Sequence, residues 1–181
     1  MRWSGVTMTV SSFEDRTPVI AEGCWVHPSA DVLGDVRLGA RCWIGPGARL
    51  RGDYGSIVLG DCCAVEDNCV VHARPDETCT IGSWVTLGHG CVVHNAMSIG
   101  DFSVIGMGAV VSDWAEIGEW AVVGEGAVVP QCAVVPAARI AAGVPARLID
   151  RAVDEEFKVT WRGFKQRYVD LCERHRSGFG T

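Results

Sequence analysis

Aliphatic residues recur at every sixth position over most of the chain. The series begins at Ile20 and keeps one register to Leu50, resumes after three extra residues, and continues from Ile81 to Val135 after a further slip of four. Every member is Ile, Leu or Val. A helix face repeats every 3.6 residues, and hairpin strands need longer units, so neither explains a period of six. The pattern predicts short strands that stack as a hexapeptide β-helix.

Three hexads form one triangular coil of about 18 residues, so equivalent residues of successive coils lie about 4.8 Å apart. Glycine often follows the aliphatic residue, as at Gly100 and Gly118, where we expect turns that need a positive φ or a close approach of the backbone. The chain resembles hexapeptide-repeat proteins in this pattern. The resemblance implies an all-β, left-handed parallel β-helix of about six coils, and members of that class are commonly trimers.

The period changes after Val135. Apolar residues then recur at spacings of three and four, which indicates an amphipathic helix packed on the β-helix; they are Val153, Phe157, Trp161, Phe164, Tyr168 and Leu171. We therefore divide the chain into an N-terminal segment at 1–17, a β-helix domain at 18–140, and a turn with a C-terminal helix at 141–181.

Nine cysteines occur, without any CxxC pair. Six of them lie two residues before an aliphatic position, in the column that alanine fills in later coils; they are Cys24, Cys42, Cys63, Cys69, Cys79 and Cys91. Cysteine behaves as a small apolar residue when it is buried. We expect core filling by these six side chains, with no disulfide and no thiol chemistry.

Charge and hydropathy narrow the partners. The 181 residues carry a formal net charge of −6, and no apolar run approaches the roughly 18 residues of a membrane span. An acidic chain offers no electrostatic footprint for nucleic acid or for an anionic membrane surface. We expect neither as a partner, and a cytoplasmic location.

Three non-glycine residues stand directly after an aliphatic position at the same edge of successive coils. They are Arg51, His72 and His94, which fall into one column once the two slips are allowed for. Two imidazoles about one coil apart can both reach a metal ion at 2.0–2.1 Å. The spacing predicts half of a metal site.

The other half is predicted at a different edge of the triangle. His89 follows Gly88 there, and Glu66 lies one coil below. In a threefold trimer one edge of a subunit faces another edge of its neighbour, so His89 can complete a three-histidine site across the interface. Three neutral histidines with an open position are typical of catalytic zinc.

Further sequence similarity supports this arrangement. The segments LRGDYGSIVLGD (50–61), NCVVHA (68–73) and VTLGHGCVVHNA (85–96) resemble the γ-class carbonic anhydrase family. The resemblance implies zinc, or iron or cobalt, bound by His72 and His94 of one subunit and His89 of the next. It also implies that Arg51 and Asp53 pair across the trimer interface. The place of these two residues beneath the histidines favours a role in positioning or assembly, and the alternative is an exposed ion pair that contributes little to stability.

The chain departs from the family at two positions. Glu66 and Ala64 stand where the family commonly has glutamine and where its active members have asparagine. The acidic proton-shuttle loop of the most active members is not evident, and Asp76 and Glu77 are weak substitutes. The C-terminal segments AGVPARLID and WRGFKQRYVDLCERH resemble the branch named for the phenylacetate-degradation protein PaaY and the carnitine-operon protein CaiE.

Three functions follow as hypotheses. The first is reversible hydration of CO2 to bicarbonate by a metal-bound hydroxide, with Glu66 orienting the hydroxide or accepting its proton. The second is hydrolysis of an acyl-CoA thioester, or acyl transfer, because the branch includes a thioesterase. The third is a non-catalytic, metal-stabilised trimeric scaffold, since one fold hosts many functions.

Overall fold

The computed structural model describes residues 9–178. Residues 1–8 of the N-terminal segment and residues 179–181 lie outside the described part of the chain. The described elements, in chain order, are β1 (Thr9–Ser11), β2 (Val19–Ile20), β3 (Trp25–Val26), β4 (Asp31–Leu38), β5 (Trp43–Ile44), β6 (Arg49–Leu59), β7 (Ala64–Val65), β8 (Val70–His72), β9 (Thr78–Ile81), β10 (Thr86–Leu87), β11 (Val92–His94), β12 (Ser98–Ile99), β13 (Val104–Ile105), β14 (Val110–Val111), β15 (Glu116–Ile117), β16 (Val122–Val123), β17 (Val128–Val129), β18 (Val134–Val135), β19 (Arg139–Ala142), β20 (Arg147–Ala152) and α1 (Glu155–Gly178).

These strands form a parallel β-helix with three faces. The first face stacks β3, β5, β7, β10, β13, β16 and β19, with β20 antiparallel at its end. The second face stacks β1, the first half of β4, the first half of β6, β8, β11, β14 and β17. The third face stacks β2, the second halves of β4 and β6, then β9, β12, β15 and β18. The predicted fold is confirmed.

The β-helix has about seven turns, one more than the predicted six. The repeat predicts a series that ends at Val135, but Arg139–Ala142 continues the first face by pairing with β16. At the opposite end β1, within the predicted N-terminal segment, pairs with β4 on the second face. Backbone pairing can extend a sheet without the aliphatic repeat, so both additions were invisible to the sequence pattern.

The aliphatic series forms the core. All of its members from Val26 onward are buried, and Ile20 packs against the core with partial exposure. Burial of each such side chain contributes about 1.5–3 kcal/mol to the free energy of unfolding. The alternating outward residues of the same strands remain free to build surface sites.

The glycines that follow the aliphatic positions serve close packing. A Cβ on Gly100 would lie 2.5 Å from the backbone nitrogen of Glu119 in the next coil. The positive φ angles occur elsewhere in the turns, for example at Gly108 and Trp120. Of the two roles expected for these glycines, close approach of the backbone is therefore the one the structure shows at Gly100.

The C-terminal helix is also confirmed. Asp154 caps it, because its Oδ1 accepts a hydrogen bond of 2.8 Å from the backbone nitrogen of Phe157. α1 runs back along the β-helix and packs over β3, β5 and β7. This path brings the middle of α1 beside one of the predicted site edges.

The predicted apolar face of the helix is only partly correct. The buried residues of α1 are Lys165, Val169 and Cys172, whereas Phe164 is 45% exposed. The helix is rotated relative to the predicted face because a lysine enters the buried side. The surface of the β-helix beneath this side of α1 offers two polar acceptors, the Thr86 hydroxyl and the Ser103 carbonyl. The periodicity of apolar residues in the helix does not reveal these acceptors.

Candidate functional site

A column of polar side chains stands at the edge between the second and third faces. The strand register places Arg51 opposite His72 and His72 opposite His94 in three successive coils. The two imidazole centroids lie 5.3 Å apart. The predicted stacking of these three residues is confirmed by the register.

His72 is the more enclosed of the two histidines. Its side chain is 15% exposed, and burial, followed by the nearby Arg51 guanidinium, lowers the pKa of His72 below its usual range. Its ring is therefore neutral at pH 7, which is the form that binds metal ions. Among the described residues, Nε2 of His72 and Oδ1 of Asp53 are buried without a hydrogen-bond partner, and they lie 3.4 Å apart. An orphaned imidazole nitrogen fits a metal ligand.

Arg51 and Asp53 form an ion pair within one chain. Nη2 of Arg51 donates to Oδ2 of Asp53 at 2.8 Å. Burial acts to raise the pKa of Asp53, but the hydrogen bond and charge of the Arg51 guanidinium together outweigh it and hold that pKa below its usual range. The family resemblance implies instead that Arg51 of one subunit pairs with Asp53 of the next. Within a single chain, Arg51 and Asp53 already pair with each other. The carboxylate lies directly beside His72 and can position it.

His94 has a different carboxylate partner. Its Nδ1 lies 2.7 Å from Oδ1 of Asp113, one coil farther along the β-helix. Arg74 holds that carboxylate with two contacts, from Nε to Oδ1 and from Nη2 to Oδ2, each of 2.8 Å. Arg74, then His94, lowers the pKa of Asp113, whose carboxyl group is consequently ionised at neutral pH.

Glu66 and His89 lie together at the edge between the first and second faces. Oε2 of Glu66 accepts a hydrogen bond of 3.1 Å from the backbone nitrogen of His89, and it lies 3.1 Å from His89 Nε2. The Glu66 side chain is 9% exposed, whereas that of His89 is 46% exposed. His89 therefore lies at the surface, while the carboxylate of Glu66 that it contacts is buried.

A cavity of about 270 Å³ opens beside Glu66 and His89. Its remaining wall is largely aliphatic and aromatic, and includes Val104, Val122 and Trp161. Pockets for small molecules commonly combine an apolar wall with a few polar groups at one end. This volume is at the small end of such sites and suits a compact ligand.

α1 contributes two polar groups near this cavity. Burial, together with a hydrogen bond to Glu66, raises the pKa of the Tyr168 hydroxyl, which stays protonated at neutral pH. Lys165 is fully enclosed, and its Nζ donates to Thr86 Oγ1 and to the Ser103 carbonyl, each at 3.0 Å. Thr86 also lines the cavity. Neither helix residue was predicted to act at the site.

The structure therefore brings the predicted site residues together in two groups. One contains Arg51, Asp53, His72 and His94, and the other contains Glu66 and His89. No three His, Cys, Asp or Glu side chains of the described chain converge on one metal position. A three-histidine site needs both groups, and the joining of the two groups across subunits stays a prediction.

Sequence reasoning missed Asp113, Arg74 and Tyr168. Asp113 lies 19 residues after His94, which is one coil plus one position, so the repeat places Asp113 near His94 but does not show that the two side chains meet. Tyr168 carries no such signal, because the path of α1 over the first face depends on tertiary packing.

The described helix α1 is not long and apolar enough to span a membrane.

The chain matches known proteins over most of its length. The family model "Bacterial transferase hexapeptide (six repeats)" matches residues 17–52 and 96–131. The carnitine operon protein CaiE of Salmonella newport (strain SL254) is 34% identical over 172 residues, which cover 94% of this chain and 85% of CaiE.

Two solved structures are similar. A candidate acetyltransferase from Bacillus cereus superimposes with a TM-score of 0.90 at 30% identity, covering 93% of this chain and 97% of the other. PerB from Caulobacter crescentus, in complex with CoA and GDP-perosamine, superimposes with a TM-score of 0.61 at 29% identity, covering 70% of this chain and 56% of PerB. The chain belongs to the hexapeptide-repeat family and, within it, to the group of CaiE, in the branch of γ-class carbonic anhydrase-like proteins that its sequence resembles.

Proposed function

We propose that this protein is a metal-dependent homotrimeric enzyme that hydrates CO2 reversibly to bicarbonate. The observation that carries the proposal is the stacked pair His72 and His94, one with an orphaned buried nitrogen and the other oriented by a carboxylate. His89 of the neighbouring subunit supplies the third ligand. Zinc, or iron or cobalt, held by this set would lower the pKa of a bound water to about 7 and so would supply a nucleophile at neutral pH.

The protein groups around that position divide the remaining work. Asp113 holds His94 by a hydrogen bond and Asp53 lies beside His72, while Glu66 faces the reacting water from the other edge. Addition of water to CO2 yields bicarbonate and one proton, and the Glu66 carboxylate accepts that proton before it reaches solvent. In this proposal the Tyr168 hydroxyl, which stays protonated, donates to the Glu66 carboxylate and helps to orient it.

Metal content and CO2 hydration test the proposal together. Protein expressed with zinc or iron available should contain about one metal ion per chain and should accelerate CO2 hydration in stopped flow. His94→Ala should lose both, because two ligands of a three-ligand set bind metal far more weakly. His27→Ala is the matched control, since His27 lies in a turn where Nδ1 contacts Ser29 Oγ at 2.8 Å, and it should keep both. Wild-type protein without bound metal would refute the proposal.

A second candidate is hydrolysis or transfer of the acyl group of a CoA thioester. The apolar cavity beside Glu66 and His89 favours it, because that cavity can receive a short acyl chain. The similar structure of PerB, which is in complex with CoA, points to the same class of substrate.

The two candidates differ in what a narrower cavity does. Val122→Phe adds bulk to the cavity wall and should slow turnover of acyl-CoA substrates, more for longer chains, while leaving hydration of CO2 nearly unchanged. Val134→Phe is the control, because Val134 is an exposed strand residue on the third face. Bound metal without turnover of CO2 or of any acyl-CoA in a panel of chain lengths would instead identify a metal-stabilised scaffold.

A further inference from the structure

The contact of His94 with Asp113 determines which ring nitrogen of His94 is free. Nδ1 of His94 lies 2.7 Å from Oδ1 of Asp113, a distance typical of a charge-assisted hydrogen bond. A carboxylate only accepts hydrogen bonds, so Nδ1 must carry the proton. In a neutral imidazole the other nitrogen, Nε2, then has an unshared electron pair.

Asp113 is itself held in place. Arg74 grips both of its carboxylate oxygens at 2.8 Å, and the guanidinium lies 5.4 Å from the centroid of the Trp114 ring. The backbone nitrogen of Arg74 donates in turn to Oδ1 of Asn95 at 3.0 Å. The side chain of Asp113 is only 14% exposed. A bidentate pair of this kind fixes the carboxylate in direction as well as in position.

We infer that Asp113, held by Arg74, is a positioning residue that fixes the tautomer and orientation of His94 so that Nε2 is presented for metal binding. The inference rests on the proposed function, and it adds two residues that the metal ligands alone do not include. A histidine ligand whose second nitrogen donates to a carboxylate is a more basic and better ordered ligand, and loss of such a partner typically costs 10–100-fold in metal affinity. The carboxylate nearest to His72, that of Asp53, lies 3.4 Å from Nε2, whereas Asp113 contacts Nδ1 of His94, so this arrangement belongs to His94.

The tautomer can be measured without metal. Long-range ¹H–¹⁵N NMR of the metal-free protein should show His94 with its proton on Nδ1. In Asp113→Ala the Nε2-protonated tautomer, which neutral histidine ordinarily favours in water, should gain population. A proton on Nε2 of His94 in the wild-type protein, or an unchanged tautomer in the variant, would overturn the inference.

Metal affinity supplies the second readout. Competition of the metal-free protein against a chromophoric zinc chelator should show 10–100-fold weaker binding for Asp113→Ala, and for Asp113→Asn, which keeps the size of the side chain. Asp31→Asn is the matched control, because Asp31 pairs with Arg49 at 2.7 Å on another coil. Equal zinc affinity of wild type and both Asp113 variants would also overturn the inference. Failure of wild-type protein to bind zinc, iron or cobalt would refute the proposed function, while the NMR experiment still decides the role of Asp113.

Discussion

At the scale of single residues, several thiols in the interior of the β-helix donate hydrogen bonds to backbone carbonyl oxygens of the next coil. Sγ of Cys24, Cys42 and Cys63 donates to the carbonyl oxygens of Gly39, Gly60 and Gly82 at 3.0–3.1 Å. Each thiol thus replaces an alanine of the same column without leaving its donor unpaired. Cysteine fits this column because it is small and its weak donor has a carbonyl within reach.

Thiol reactivity should follow this burial. Among the nine free cysteines only Cys132 is exposed, and burial raises the pKa of Cys79 to about 12 and that of Cys172 to about 11. Since the thiolate is the reactive form, we expect about one thiol per folded chain to react rapidly with a disulfide reagent at pH 8. Cys132→Ser should remove the rapid phase. Rapid reaction of several thiols in that variant would contradict the packing described.

Lys165 should make stability depend on pH. Burial lowers the pKa of Lys165 to about 7, with Cys63 and Glu66 partly opposing the shift, whereas an unfolded lysine has a pKa near 10.4. Between these values the unfolded chain binds more protons, so the contribution of Lys165 to stability rises with pH by up to about 1.4 kcal/mol per pH unit. Below pH 7 both states are protonated, and the penalty of the buried charge is complete.

The comparison with Lys165→Met isolates this contribution. Urea unfolding at equal protein concentration should show that the free energy of unfolding of wild type increases relative to the variant from pH 7 to pH 10. The ionisation of cysteines occurs in both proteins and cancels in the difference. Parallel pH curves for the two proteins would show that Lys165 does not titrate in this window.

At the scale of elements, the β-helix was predictable and the docking of α1 was not. The six-residue aliphatic series from Val26 to Val135 predicts both the coil and its buried side, because every hexad buries one aliphatic side chain. The docking of the helix depends on residues that are distant in sequence. Lys165 is buried because Thr86 and Ser103, about 60 to 80 residues earlier in the chain, provide its hydrogen-bond acceptors. No local periodicity contains that information, and Tyr168 reached the candidate site by the same docking.

An aromatic column couples α1 to the upper coils. Trp120 stacks on Phe102 with ring centroids 4.7 Å apart, and the Arg162 guanidinium of α1 lies 5.2 Å from the Trp120 ring centroid. Trp120→Ala should lower the free energy of unfolding by about 3–5 kcal/mol and should increase hydrogen exchange in the first half of α1. Phe164→Ala, at a 45% exposed position of the same helix, should have a much smaller effect. Equal effects of the two substitutions would show that the column does not anchor the helix.

At the scale of the whole molecule, one chain presents two incomplete halves of a site at two different edges. The repeat placed His72 above Arg51 and below His94, and it placed Glu66 beside His89, so sequence spacing alone determined the contents of each half. Spacing could not show that Asp113 holds His94, or that the Glu66 edge opens into an apolar cavity, because both depend on side-chain packing between coils. The joining of the halves is a property of the assembly, and it is accessible to experiment through mixed trimers.

Mixed trimers of His72→Ala and His89→Ala chains test that joining directly. Each variant alone should bind little metal, because every site of a threefold ring then lacks one ligand. In a ring containing both variants, one site receives His72 and His94 from a His89→Ala chain and His89 from a His72→Ala chain, while the other two sites remain defective. Random reassembly of an equal mixture should therefore restore about one quarter of the wild-type metal content, measured after unfolding and refolding the two variants together. Restoration should not occur when the two variants are refolded separately and then combined without subunit exchange. Full metal binding by either variant alone would place the site within one chain and exclude the intersubunit arrangement.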